Sequence, residues 1–194
     1  SAAMLNGILC IGQDDSSPGA VARLDFISDT ARHYSSAPSE YRDWNVGISE
    51  RGASGGSDRI TTNSNYAIVD DDVKSISMVI EPNASYDSND LLPAPTIAFG
   101  CGNGVSILRS DGSLLNSTNT TDTYPVNAIT ITADKKLYVL QGTSNEGFVF
   151  YDNYEKIDDV AGLGTYANSD TFFYSSYNVV ANETNKATLR GAGG

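Results

Sequence analysis

Histidine occurs once in these 194 residues, tryptophan once and cysteine twice. The lone His33 excludes multi-histidine zinc, copper and iron sites and leaves any Ser-His-Asp arrangement dependent on one residue. No Gly-x-Ser-x-Gly elbow occurs, and His33, between Arg32 and Tyr34 in a polar tract, reads as solvent-facing. Cys10 and Cys101 are too few for a disulfide framework or a four-thiolate zinc site. Each sits beside apolar residues on an expected strand, so buried free thiols are the expectation. A single disulfide stays open, because nothing in the sequence fixes their separation or redox compartment.

Basic charge is also scarce. Twelve Lys and Arg against 24 Asp and Glu leave a formal charge of -12, a field that repels nucleic-acid phosphates and anionic membrane surfaces. Nucleic-acid binding is therefore set aside. No stretch approaches the ~20 consecutive apolar residues of a bilayer-spanning helix, and residues 1–20 lack the basic flank and continuous apolar run of a signal peptide. The chain as given reads as soluble, without membrane insertion. Helical periodicity is nearly absent as well: no long window has apolar residues at three- and four-residue spacing, while Ser, Thr, Asn, Gly and Tyr are abundant.

What is present repeats. Three segments share an apolar strand, a glycine, a short polar loop, a second glycine and another apolar strand. They start at Ile8-Leu9-Cys10-Ile11-Gly12, at Thr96-Ile97-Ala98-Phe99-Gly100 and at Leu137-Tyr138-Val139-Leu140 leading to Gly142. Their second halves begin at Gly19, Gly104 and Gly147. The first glycines, at 12, 100 and 142, fall close to two periods and one period of about 43 residues, within the range of propeller blades. The alternating runs Val73–Ile80 and Val126–Ile131 precede two of the units and supply a further strand with one buried face. Ser110-Asp111-Gly112-Ser113 reads as a hairpin turn with Gly112 at positive φ.

The fold class expected is all-β, a β-propeller-like repeat of four-stranded blades, incomplete or a fragment of a longer chain. Its units run over 1–30, 31–72 (divergent), 73–125, 126–165 and 166–194 (partial). Ser1 to Leu5 is expected to lead directly into a second strand. In the apolar phase of the repeat, Ile97, Phe99, Val105, Ile107, Ile129, Ile131, Val139 and Phe148 should be buried.

No catalytic constellation is recognisable. Paired carboxylates for glycoside hydrolysis can come from any strands, and Glu40, Asp43, Glu50 and Asp58 in the irregular tract 31–65 are the candidates for that alternative. Asp70-Asp71-Asp72 and the Asp87-Ser88-Asn89-Asp90 loop offer oxygen ligands that suit calcium but follow no EF-hand pattern. Asp87 and Asp90 are preferred because a loop can wrap an ion; no other cofactor is implied. Aromatic residues are more suggestive. Tyr34, Tyr41 and Trp44 cluster in the irregular tract and Tyr174 near the C-terminal end, where rings beside Asp, Asn and Arg suit sugar faces or protein interfaces. Tyr34, Tyr41 and Trp44 are expected on an exposed face, because their tract lacks the alternation that would draw them into a core.

The units depart from the WD40 signature, since no Gly-His pair occurs and Asp43-Trp44 has the reverse order. The segment Leu92-Pro93-Ala94-Pro95-Thr96-Ile97-Ala98-Phe99-Gly100, with Gly104-Val105-Ser106-Ile107-Leu108 and Ser110-Asp111-Gly112, resembles propeller-type repeats of bacteriophage tail-fibre and other virion proteins, over roughly half the chain. That resemblance implies a structural or receptor-binding component of a virion or extracellular assembly, a homo-oligomer with other assembly subunits as neighbours and no active site to carry over. The leading expectation is a non-enzymatic adhesive module binding a glycan or protein receptor through loops and aromatic residues. A glycan-cleaving depolymerase and a purely architectural fibre or sheath segment are the alternatives.

Overall fold

The computed structural model describes residues 1–13, 21–37, 42–44, 47, 59–61, 66–86, 92–118, 125–142, 147–157 and 171–174. Fourteen strands appear among them: β1 (Ala2–Leu5), β2 (Ile8–Gly12), β3 (Val21–Asp25), β4 (Thr30–Tyr34), β5 (Arg42–Trp44), β6 (Arg59–Thr61), β7 (Val73–Val79), β8 (Thr96–Cys101), β9 (Gly104–Leu108), β10 (Leu114–Thr118), β11 (Val126–Ile131), β12 (Leu137–Gln141), β13 (Gly147–Tyr151) and β14 (Thr171–Tyr174). They form three antiparallel sheets with neighbours in chain order: β1 to β6, β7 to β10 and β11 to β14. Helix is confined, among the described residues, to single 3-10 turns such as Tyr154–Lys156. The chain is thus all-β, and its sheets do not close into a ring among these residues.

The second sheet has the four strands expected of unit 73–125; the third also has four, but its last, β14, lies beyond the expected unit 126–165, in the stretch assigned to a separate partial unit 166–194. The first has six, because β5 and β6 continue the meander from β4, so the described strands of residues 31–72 belong to the first sheet. The N-terminal expectation is corrected. Residues 2–5 form a strand of their own, joined to β2 by the two-residue turn Asn6-Gly7 with φ of 47° and 76°. That conformation twists with the flanking strands and is favoured by Asn-Gly.

The sheets stack in series. All of β8 and β9 is buried, because the second sheet is covered on both faces. On one side Ile97, Phe99, Cys101 and Leu108 pack with Ile8, Cys10, Val21 and Tyr34 of the first sheet. On the other, Ala98, Val105 and Ile107 pack with Val126, Ile129, Ile131, Leu137, Val139 and Val149 of the third. Each large side chain so buried contributes about 1.5–3 kcal/mol of hydrophobic stabilisation. Burial on both faces explains why β8 reads as a continuous apolar run rather than an alternation.

Both junctions use the same device. A Cβ at Gly12 would lie 2.8 Å from Val73 Cγ1, and one at Gly100 would lie 2.6 Å from Val126 Cγ1, so the first residue of each new sheet seats against a glycine of the sheet before it. At the second junction the Ile129 and Ile131 amides donate to Ser75 Oγ and Ser77 Oγ at 3.1 and 3.2 Å, keying β11 onto β7. Bulges recur at the start of β7 and β11, after which Ser75 faces Gly100 and Ala128 faces Leu140. By this register Tyr138 and Leu140 occupy in the third sheet the places of Ala98 and Gly100 in the second.

Seven of the eight residues expected in the buried phase are buried; Phe148 is not. Val149 takes the core position, and Phe148 lies on the opposite face with Phe150, against Tyr138 at centroid distances of 6.0 and 5.0 Å. The error is one of phase: Gly147-Phe148-Val149-Phe150-Tyr151 is apolar at every side chain after the glycine, so alternation carried no information there. Gly112 has φ of 83° in the turn between β9 and β10, as expected, with its amide donating to the Arg109 carbonyl at 2.9 Å.

Candidate functional site

The three aromatic candidates within the described residues lie on separate strands, Tyr34 on β4, Trp44 on β5 and Tyr174 on β14. Tyr34 is wholly buried at the end of β4, which corrects the expectation of exposure. The strand takes up alternation with the first-sheet core, and the ring packs against Tyr66 and Phe99, each at 6.3 Å. Burial pushes its hydroxyl pKa up, against the pull of Arg23 and Arg32, and Arg32 hydrogen-bonds to it. His33 is likewise buried, 9 % exposed, rather than solvent-facing. Trp44 lies in β5, opposite Ala31 and Arg59, and Tyr174 at the end of β14, opposite Gly147. Tyr41 falls outside the described residues.

Of the acids considered for hydrolysis, Glu40, Glu50 and Asp58 lie outside the described residues, and Asp43 pairs with Arg32 at 3.4 Å. Asp87 and Asp90, the calcium candidates, also lie outside them. Among the described residues no three His, Cys, Asp or Glu side chains converge as metal ligands. The Asp70-Asp71-Asp72 run ties the stack together instead: Asp70 accepts from the Asp72 amide and the Asn103 side chain, and Asp71 accepts from Ser35 Oγ and the Ser36 amide.

A cleft between the first and second sheets carries the polar chemistry that sequence reading did not find. It has a volume of about 370 Å³ and is bounded by β3, β4, Tyr86, Ala94, Pro95 and the β9–β10 turn. Tyr34 lies within its wall, and Tyr86, 69 % exposed, borders it. Arg23, Arg32 and Arg109 reach it from three separate stretches of chain, beside the hydroxyls of Ser28, Thr30 and Ser110. Ser28 and Thr30 hydroxyls are 2.9 Å apart.

Each guanidinium is backed by a carboxylate that does not line the cleft: Asp25 for Arg23 at 3.6 Å, Asp43 for Arg32 at 3.4 Å, and Glu155 for Arg109. Asp25 is fixed in turn by the Ile27 and Ser28 amides, both at 3.1 Å. Burial raises the Glu155 pKa, but hydrogen bonds from Arg109 and Lys135 outweigh it, so the carboxyl stays below its ordinary range and is ionised at neutral pH. Among the described lining residues Asp111 is the one carboxylate. Hydrogen bonds from the Ser113 hydroxyl and amide lower its pKa, leaving it an anion and hydrogen-bond acceptor rather than a proton donor near neutrality. The cleft therefore offers fixed N–H and O–H donors beside an aromatic ring. Such a set binds oxygen-rich ligands by direction and count.

No family model, curated protein or solved structure matches this chain. The chemistry of its own residues is what speaks for function.

Proposed function

We propose that this chain is a non-enzymatic adhesive module whose sheets are blades of a propeller-like repeat, and that it binds a glycan in the cleft between its first two sheets. The observation that carries this reading is the convergence of an exposed Tyr86 ring, three hydroxyls and three guanidiniums on one cavity of about 370 Å³. Sugar rings present an apolar face to an aromatic ring and hydroxyls to polar donors, and the lining supplies both. The repetition of the glycine–valine junction supports the blade reading, and the sequence resemblance of residues 92–112 supports a virion or extracellular setting. A glycan array paired with a reducing-sugar assay tests it: binding without product is expected, and product would favour the depolymerase. Tyr86→Ala should weaken binding about tenfold with an unchanged melting temperature, because its side chain is exposed.

A specific observation also favours assembly with further copies. The outward faces of the stack carry exposed Met4 and Ile11 on the first sheet and Leu140 on the third, the last beside the Tyr138, Phe148 and Phe150 rings. Apolar surface at both ends of a serial stack suits a homo-oligomer or fibre whose copies pack end to end.

A further inference from the structure

Resting on the glycan-binding reading of this cleft, we propose that the bound glycan terminus carries a carboxylate, held by Arg23, Arg32 and Arg109. The charge distribution is the first argument. The chain holds only 12 basic residues against 24 acidic ones, yet three arginines line one cavity whose described lining residues include one carboxylate, Asp111. Each of the three is held in place by a carboxylate behind it, so together they present fixed guanidinium donors to whatever enters the cavity.

Donor geometry is the second. A guanidinium has five N–H donors in a rigid fork. The backing carboxylate engages Arg23 at 3.6 Å, outside the ~2.7–2.9 Å of a strong charge-assisted bond. Arg109 spends Nη2 on Glu155 and Nη1 on Ser113, while its Nε is buried without a hydrogen-bond partner.

Size and overall field select the anion. The planar carboxylate fits the guanidinium fork in two parallel bonds. The net charge of -12 works against densely charged polymers, whereas a single carboxylate at a chain end meets the local donors at little long-range cost. A volume of about 370 Å³ lies at the small end of ligand cavities and admits the end of a saccharide, with its hydroxyls toward Ser28 and Thr30.

The test is calorimetric titration of the full chain with uronate- and sialate-terminated oligosaccharides, each against its methyl ester and a neutral oligosaccharide of equal length. The free acid of at least one pair should bind about tenfold more tightly than its ester, and the preference should shrink as sodium chloride rises. Arg32→Gln, whose side chain is the most exposed of the three, should remove the preference of the cleft for the acid over its ester. Should that variant melt at lower temperature, the acid-to-ester comparison on the unmodified chain still decides. Equal affinity of acids, esters and neutral sugars would overturn the carboxylate assignment and leave glycan binding standing. Binding to none of them would overturn both.

Discussion

At the scale of single residues, the turn at Gly112 shows how backbone geometry alone sets a cost. A Cβ there would meet nothing within 4 Å, so a substitution is penalised by φ of 83° and not by crowding. Gly112→Val should therefore lower stability by about 1–2 kcal/mol and Gly112→Asn by less, in thermal or urea melts, since Asn tolerates the left-handed region. Buried thiols give a second case. Desolvation pushes Cys10 up to about 12, with Arg23 pulling it down, and Cys101 is raised further by its burial. A folded pKa above the unfolded value means that the folded chain holds the proton more tightly. The Cys10 contribution is thus complete below about pH 8.5, the ordinary thiol value, and is lost as pH climbs toward 12. Denaturation midpoints should fall progressively above that value, Cys10→Ala should flatten part of the slope, and neither thiol should react with a thiol reagent at pH 8 until the chain unfolds.

At the scale of strands and sheets, the glycine–valine junctions are the sensitive points. Gly100→Ala places a methyl 2.6 Å from Val126 Cγ1 at the junction of the second and third sheets, and should cost about 1–3 kcal/mol as overpacking. Val126→Ala in the same chain should recover part of that loss; a double-mutant cycle with no coupling would show that the two sheets do not meet there. Strands β7 to β13 were legible in the sequence because their apolar runs end in glycine or turn residues that mean the same thing in any context, whereas β14 falls outside the unit expected to hold it. The Asn6-Gly7 turn is equally legible in itself, but a repeat that begins at Ile8 and is set by glycines 12, 100 and 142 does not include it. Phase was legible in β11, where Ile129 and Ile131 alternate with polar residues, and illegible in β13, where aromatic side chains occupy both faces. Burial of Tyr34 was hidden because its strand, Thr-Ala-Arg-His-Tyr, buries polar residues beside apolar ones. The cleft was out of reach for a different reason: the β3–β4 hairpin sets Arg23 opposite Arg32, but only the packing of two sheets brings Arg109 beside them.

At the scale of the whole molecule, the two outward faces govern behaviour in solution. Met4→Glu and Leu140→Glu alter side chains that are 61 % and 47 % exposed, so each should change the melting free energy by less than about 0.5 kcal/mol. If copies pack end to end, the same substitutions should shift sedimentation toward the monomer; sedimentation that is independent of concentration and unchanged by either would rule out that mode of association.

The stack also carries a rule for its own extension. Where the first and second sheets present Cys10 with Gly12 and Ala98 with Gly100 to the next sheet, the third presents Tyr138 and Leu140. A fourth sheet could not approach with the closeness of the earlier two, because the gap that admitted Val73 and Val126 is filled. Two side chains thus work as a stop codon written in volume. Whatever lies against that face must accept a wider spacing, and the pitch of the array changes there.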